Sequence, residues 1–258
     1  PMPPQPQPKI GLAPKADGET AKMYEVRKGY SNWYFNALER DKLLTAFKKQ
    51  SGDFAGVPGT WVVEGTYKMP DREGQLRAEV AETKGDAKVS LKLNVETVLE
   101  PLKDKITIPE QKQPLGSGGL AMALYHYHRF LTLGEKGFEG GFAHGGNEPF
   151  YPFPADGAAP KSLAALKADC AVLVTKHGSV NCKWYFSLAD GATKHQLLGF
   201  ETYVAKDSKE PTEADPCEVY FHDYKDVGDG RKLPHRMVVR YADKAYTLLT
   251  PAKWTLNK

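Results

Sequence analysis

A chain of 258 residues that is 41% apolar has material for a sizeable core and suits one large β-rich domain or two small ones, of which one is the expectation. Its 35 basic residues nearly balance 32 acidic ones, and with a net charge of +3 and no dense Lys/Arg cluster it carries no electrostatic footprint for nucleic acid. No apolar run approaches the roughly 18 residues of a bilayer-spanning helix, and no charged-then-apolar leader opens the sequence.

Residues 1–18 begin PMPPQPQP, a composition that favours extended polyproline II and cannot build a core. They are expected to be a stiff linker from an upstream partner, with a proline-rich recognition motif as the alternative, and the folded domain is expected over residues 19–258. Residues 19–50 turn helical, interrupted by the aromatic patch of Tyr30, Trp33, Tyr34 and Phe35, which reads as core packing. Asn36 with Glu39 three residues on resembles a capping box, and a helix over 37–49 puts Leu43, Leu44 and Phe47 on one face.

Three strands follow. Trp61, Val63, Tyr67 and Met69 alternate with polar residues, as do Leu76, Ala78 and Val80, and then Val89, Leu91 and Leu93. One face meets water and the other apolar surface, which is the habit of antiparallel sheets. Pro101, Pro109 and Pro114 predict irregular chain after Asn94.

Residues 116–133 read as the clearest helix. Ser117 is placed to cap it, Gly134 to stop it, and Leu120, Leu124, Tyr127 and Leu131 form a stripe suited to crossing the concave face of a sheet. The glycine, proline and aromatic segment at 137–152 is too apolar for a solvated loop and is expected to pack on something. After a linker-like patch at 154–160 and a short helical turn at 163–167, strands resume with Cys170, Val172 and Val174, then Cys182, Trp184 and Phe186, then Leu198, Phe200 and Val204. The balanced charges at 206–215 read as a solvated loop.

Residues 217–257 carry the most regular strand-turn-strand pattern. Val219 and Phe221 form one face, a turn falls at 227–230, Met237, Val239 and Tyr241 continue on the next strand, and Tyr246, Leu248 and Leu249 return. Trp254 and Leu256 suggest one last strand after Pro251. The three cysteines, 170, 182 and 217, cannot all pair within the chain. A turn centred on Gly178 and Ser179 sets Cys182 opposite about Thr175 and Cys170 opposite about Ser187, so those two are not cross-strand partners. All three read as buried structural thiols.

Motifs for catalysis are incomplete. Gly116-Ser117-Gly118-Gly119 lacks the acidic residue of a trypsin-like nucleophile loop and leads into a helix, so Ser117 reads as a cap. His144-Gly145-Gly146 is similar to an esterase oxyanion segment, yet no Gly-x-Ser-x-Gly elbow accompanies it. His126 and His128, two apart on a helix, point about 200° apart and cannot share a metal. His222 and His235 sit on separate strands in structural or surface roles, and no phosphate-cradling or dinucleotide loop is present. The expectation is a protein that is not an enzyme and carries no cofactor and no metal.

The order of N-terminal helix, antiparallel strands, long helix and further antiparallel strands resembles the incomplete barrel of bacterial lipoprotein carriers of the LolA and LolB type. The run Asp229-Gly230-Arg231-Lys232-Leu233-Pro234-His235-Arg236-Met237 is similar to a turn that leads into a strand in that superfamily. Three further segments, Tyr34-Phe35-Asn36-Ala37-Leu38-Glu39-Arg40-Asp41, Gly118 to His126, and Lys183-Trp184-Tyr185-Phe186-Ser187, resemble uncharacterised domains found behind bacterial HtrA-type serine proteases. The resemblance implies an α+β fold, a large curved antiparallel sheet or half-barrel with a long amphipathic helix on its concave face. It also implies a periplasmic or otherwise extracytoplasmic place and an upstream protease domain as a partner.

A noncatalytic binding module follows, with an apolar groove for a lipid, a lipoprotein's acyl chain or a peptide. Its candidate lining is Trp61, Tyr67, Leu91, Leu124, Trp184 and Phe186. The alternative is a docking or structural domain that meets a partner through Phe138, Phe142, His144, Phe150 and Tyr151. Hydrolysis using His144 is the weakest reading.

Overall fold

The computed structural model describes residues 24–26, 34–83, 86–94, 96–102, 111–156, 160–204, 215–242 and 244–257. The proline-rich stretch 1–18, Tyr30, Trp33, Pro109 and the charged loop up to residue 214 fall outside them, as do the side chains of Tyr34, Phe35 and Asn36. A short pair, β1 (Tyr24–Val26) and β2 (Tyr34–Asn36), precedes helix α1 (Ala37–Ser51). The helix forms where the sequence predicts it, with Leu43 and Phe47 buried.

Everything else hangs on one antiparallel sheet of 11 strands. Four strands run outward in chain order: β3 (Trp61–Lys68), β4 (Glu73–Thr83), β5 (Asp86–Leu93) and β6 (Glu96–Leu102). Helix α2 (Leu120–Leu133) then carries the chain across, and a second meander starts at the far edge. It comprises β7 (Ala143–Phe150), β8 (Ala168–His177), β9 (Val180–Ser187), β10 (Leu197–Val204), β11 (Cys217–Asp226), β12 (Lys232–Tyr241) and β13 (Lys244–Leu256). The two meanders meet where β13 pairs with β3, leaving β6 and β7 as the open edges. The α+β class and the curved open sheet with a long helix against it are those the sequence predicts.

Several local expectations change. The proline-rich stretch after Asn94 is not irregular throughout, because Glu96–Leu102 forms β6. Pro101, which has no N–H to donate, is tolerated there since β6 is an edge strand. The glycine-aromatic segment contains the other edge strand, β7, where Pro149 and a register shift between His144 and Gly146 fit the same position. No separate last strand follows Pro251: β13 runs through it, with a register shift between Pro251 and Lys253. Leu197 rather than Leu198 enters the main core, because a shift between Leu197 and Gly199 turns the strand over.

The β8–β9 hairpin has the predicted register, Cys170 opposite Ser187 and Thr175 opposite Cys182. Cys170, Cys182 and Cys217 are all free and buried. Strands β8 and β9 are covered on both faces. Ala171, Leu173, Trp184 and Phe186 enter the main core, while Cys170, Val172 and Tyr185 join a second cluster with Phe150 and Phe153 on the opposite side. There Phe150 stacks on Tyr185 at 4.1 Å and Phe153 on Tyr220 at 5.7 Å, so the chain leaving β7 straps the outer face.

Gly65 lies in β3 opposite Pro251, at the point where the meanders join. A Cβ built there would sit 2.2 Å from the Thr250 carbonyl oxygen and 2.8 Å from the Pro251 Cα, both of them backbone atoms that cannot swing aside. Gly65→Ala is therefore expected to destabilise by about 2–3 kcal/mol, seen as a lower urea midpoint at unchanged slope. A midpoint equal to that of the wild type would show that the seam yields to an extra methyl group.

Candidate functional site

Helix α2 has the sequence LAMALYHYHRFLTL, and every residue from Leu120 to Thr132 is buried. A helix with one apolar stripe would leave its other side in water, but this one is enclosed. Its start falls at Leu120, later than the predicted Gly116, after Gly118 and Gly119 with φ of 71° and 114°. Ser117 still does the work assigned to it, since its hydroxyl accepts the N–H groups of Gly119 at 3.2 Å and Leu120 at 3.1 Å. At Gly119 a side chain would strike the Gln111 carbonyl at 2.7 Å and the Cys217 sulfur at 2.9 Å, so the helix entrance is fixed closely against β11.

From this anchor α2 reaches strands on both sides of the sheet. Phe130 stacks on Trp184 of β9 at 4.1 Å, Tyr127 packs on Phe221 of β11 at 4.5 Å, and the helix also touches β4 and β5. His128 meets the Trp61 ring edge-on at 4.9 Å.

Of the six residues read as groove lining, Leu124 lies on this helix and the other five come together around it. Trp61, Tyr67, Leu91, Leu124, Trp184 and Phe186 belong to one hydrophobic cluster, and none is more than 3% exposed. Each indole nitrogen among them is satisfied: Trp61 donates to the Val57 carbonyl at 2.8 Å and Trp184 to the Thr175 hydroxyl at 2.9 Å. In this state they line no open groove, because α2 lies against them. Two surface depressions, of about 400 and 250 Å³, are formed elsewhere, on the outer side of α1 around Thr45 and on the outer sheet face around Val238 and Leu248. Of the docking candidates, Phe138 and Phe142 lie in the main core and Phe150 in the outer cluster. Tyr151 is 38% exposed. His144 is half-buried and its Nδ1 accepts the Gly146 N–H at 3.2 Å.

The polar groups inside the core were not predicted to form a site. Arg129 donates to the Gly137 carbonyl and, at 3.1 Å, to the Tyr125 hydroxyl. The Tyr125 hydroxyl also hydrogen-bonds Nε2 of His177, 3.1 Å away at the end of β8. His126 and His128 point in different directions, as the helical spacing predicts. The His126 ring lies 6.4 Å from that of His177, and His128 bonds the Gly59 carbonyl at 3.0 Å through Nε2. Neither nitrogen of His126 has a hydrogen-bond partner among the described residues. The signal for this cluster was present as the run His126, Tyr127, His128, Arg129 in an otherwise apolar helix; its connection to His177 depends on the fold.

Burial sets the charge states. It pulls the His126 pKa down to about 3, with His177 adding to the effect, and that of His128 down to about 4 against the opposing Gly59 hydrogen bond. Burial likewise lowers Arg129 to about 10, which leaves it a cation at neutral pH. Elsewhere, His222 is lowered by burial, and His235 bonds the Leu233 carbonyl at 3.1 Å. No group of three or more metal-ligating side chains occurs among the described residues.

No protein-family model matches the chain, and no curated protein matches it. Among solved structures it is similar to one described as an outer membrane lipoprotein-sorting protein domain from Vibrio parahaemolyticus, at 13% identity over 83% of this chain and 91% of that one, with a TM-score of 0.44. It is also similar to a DUF1329 family protein from Desulfovibrio piger, at 8% identity over 83% and 90% of the two chains, with a TM-score of 0.43.

The two neutral imidazoles make stability depend on pH. Below about 6.5 the unfolded chain takes up protons that the folded one refuses until pH 4 or 3. Stability is therefore full above pH 6.5 and falls as the pH drops toward 4, by up to ~1.4 kcal/mol per unit for each imidazole. Urea unfolding at a series of pH values is expected to show this slope, and His126→Leu to remove about half of it. A flat profile between pH 7 and pH 4.5 would contradict the buried neutral assignment.

Proposed function

We propose that this chain is a noncatalytic binding module whose concave face takes a hydrophobic ligand: a lipid, an acylated chain or an apolar peptide. The supporting observation is the enclosure of α2. An open sheet lined by Trp61, Tyr67, Leu91, Trp184 and Phe186 is closed over by one helix that brings Arg129 and two histidines into the core with it. A cover made only to fill a core would be apolar throughout, since a buried polar group without a partner costs about 1–3 kcal/mol. Both nitrogens of His126 and the Nδ1 of His128 carry that cost in the enclosed state, and glycines flank α2 at 118, 119 and 134. Displacing α2 from the sheet frees the predicted lining for a ligand without breaking the strand pairing.

In the same reading the module belongs to a larger extracytoplasmic protein and is joined to it through the proline-rich residues 1–18. An upstream protease domain is the partner the sequence resemblance supports.

The test is a titration of delipidated protein with the apolar fluorophore N-phenyl-1-naphthylamine and with an acylated peptide, followed by hydrogen exchange of the α2 amides. Saturable binding with faster exchange across residues 120–133 is expected. Absence of binding by both probes would overturn the reading.

A further inference from the structure

His126 makes no side-chain hydrogen bond in the enclosed state. It is fully buried, and its two ring nitrogens, one a donor and the other an acceptor in a neutral imidazole, have no hydrogen-bond partner among the described residues. The other polar side chains of this helix segment each make at least one hydrogen bond: His128 with Gly59 through Nε2, its Nδ1 having no partner among the described residues, Arg129 with Gly137 and Tyr125, and Thr132 with the His128 carbonyl at 2.9 Å. Leucine, which α2 carries at 120, 124, 131 and 133, would fill the same space without leaving two polar atoms unsatisfied.

The position of His126 indicates what it would meet. Its ring lies 5.1 Å from the Tyr125 ring and 6.4 Å from that of His177. His177 is half-buried and ends β8, directly before the β8–β9 turn. This is the rim of the sheet, so His126 stands where the apolar interior gives way to the surface, and Trp184 and Phe186 of the same hairpin lie farther in.

We infer that the ligand is an amphiphile with an oxygen-bearing head, and that His126, carried on α2 as it moves off the sheet, hydrogen-bonds this head while the apolar tail lies against the sheet. The inference rests on the reading of the concave face as a ligand site. A hydroxyl head matches both ring nitrogens, donating to one and accepting from the other. A carboxylate head matches the ring N–H and gains from Arg129, one helical turn away.

The experiment uses wild type, His126→Leu and His126→Gln, with N-phenyl-1-naphthylamine bound and then displaced by 1-oleoylglycerol or by oleate. The fluorophore, which lacks such a head, is expected to bind wild type and His126→Leu equally. One or both amphiphiles are expected to displace it from His126→Leu only at about tenfold higher concentration, the loss of one hydrogen bond, with His126→Gln partly restored. Sensitivity confined to 1-oleoylglycerol identifies a hydroxyl head, and sensitivity confined to oleate a carboxylate. The ¹⁵N resonances of the His126 ring are expected to move on adding the amphiphile and to stay in place with the fluorophore alone. Equal displacement from all three proteins with unmoved ring resonances would overturn the inference and leave the binding reading standing. If wild type binds neither the fluorophore nor an amphiphile, both fall.

Discussion

The pairing of β3 with β13 is the contact on which the rest of the molecule depends. It joins residues that are far apart in sequence, Trp61 opposite Leu256 and Lys68 opposite Leu248, and makes one sheet from two meanders that would otherwise be separate. All other strand pairs in the sheet are between sequence neighbours and form by local hairpin closure. This one has a large loop to close, and its cost is met only when both halves present apolar faces to the same side. Gly65 and Pro251 set how closely the two strands approach.

Once that seam exists the sheet curves around α2, and the chemistry of the interior follows from the enclosure. Burial keeps two imidazoles neutral, lowers the pKa of the Arg129 guanidinium and pushes the thiols up, Cys217 to about 12. Buried and not ionised at neutral pH, the three cysteines pack as small apolar side chains. A polar chain runs from Arg129 through Tyr125 to His177, linking the middle of α2 to the sheet rim.

Much of the fold was legible in the order of residues because strand and helix periods are local. The alternation in β3, β4 and β5, the register of the β8–β9 hairpin, the extent of α1 and the capping role of Ser117 all follow from neighbours a few positions apart. Three of the strand misreadings share a cause. Pro101 in β6, Pro149 in β7 and Pro251 in β13 each suggest a break to a local reading. An edge position tolerates the first two and a register shift the third, and both are properties of the assembled sheet.

The site divides in the same way. From the sequence came the residue types: large aromatic and aliphatic side chains at Trp61, Tyr67, Leu91, Leu124, Trp184 and Phe186, a helix to cross them, and two histidines that cannot share a ligand. Side-chain period and helix geometry suffice for these. Only the tertiary structure decided that five of the six gather around a helix that carries the sixth, Leu124, and is buried on every side, that Phe138 and Phe142 turn into the main core while Phe150 packs on the outer face, and that His126 lies near His177 with neither nitrogen bonded. Burial and hydrogen-bond satisfaction depend on what the rest of the chain places nearby, and no run of neighbouring residues contains that information.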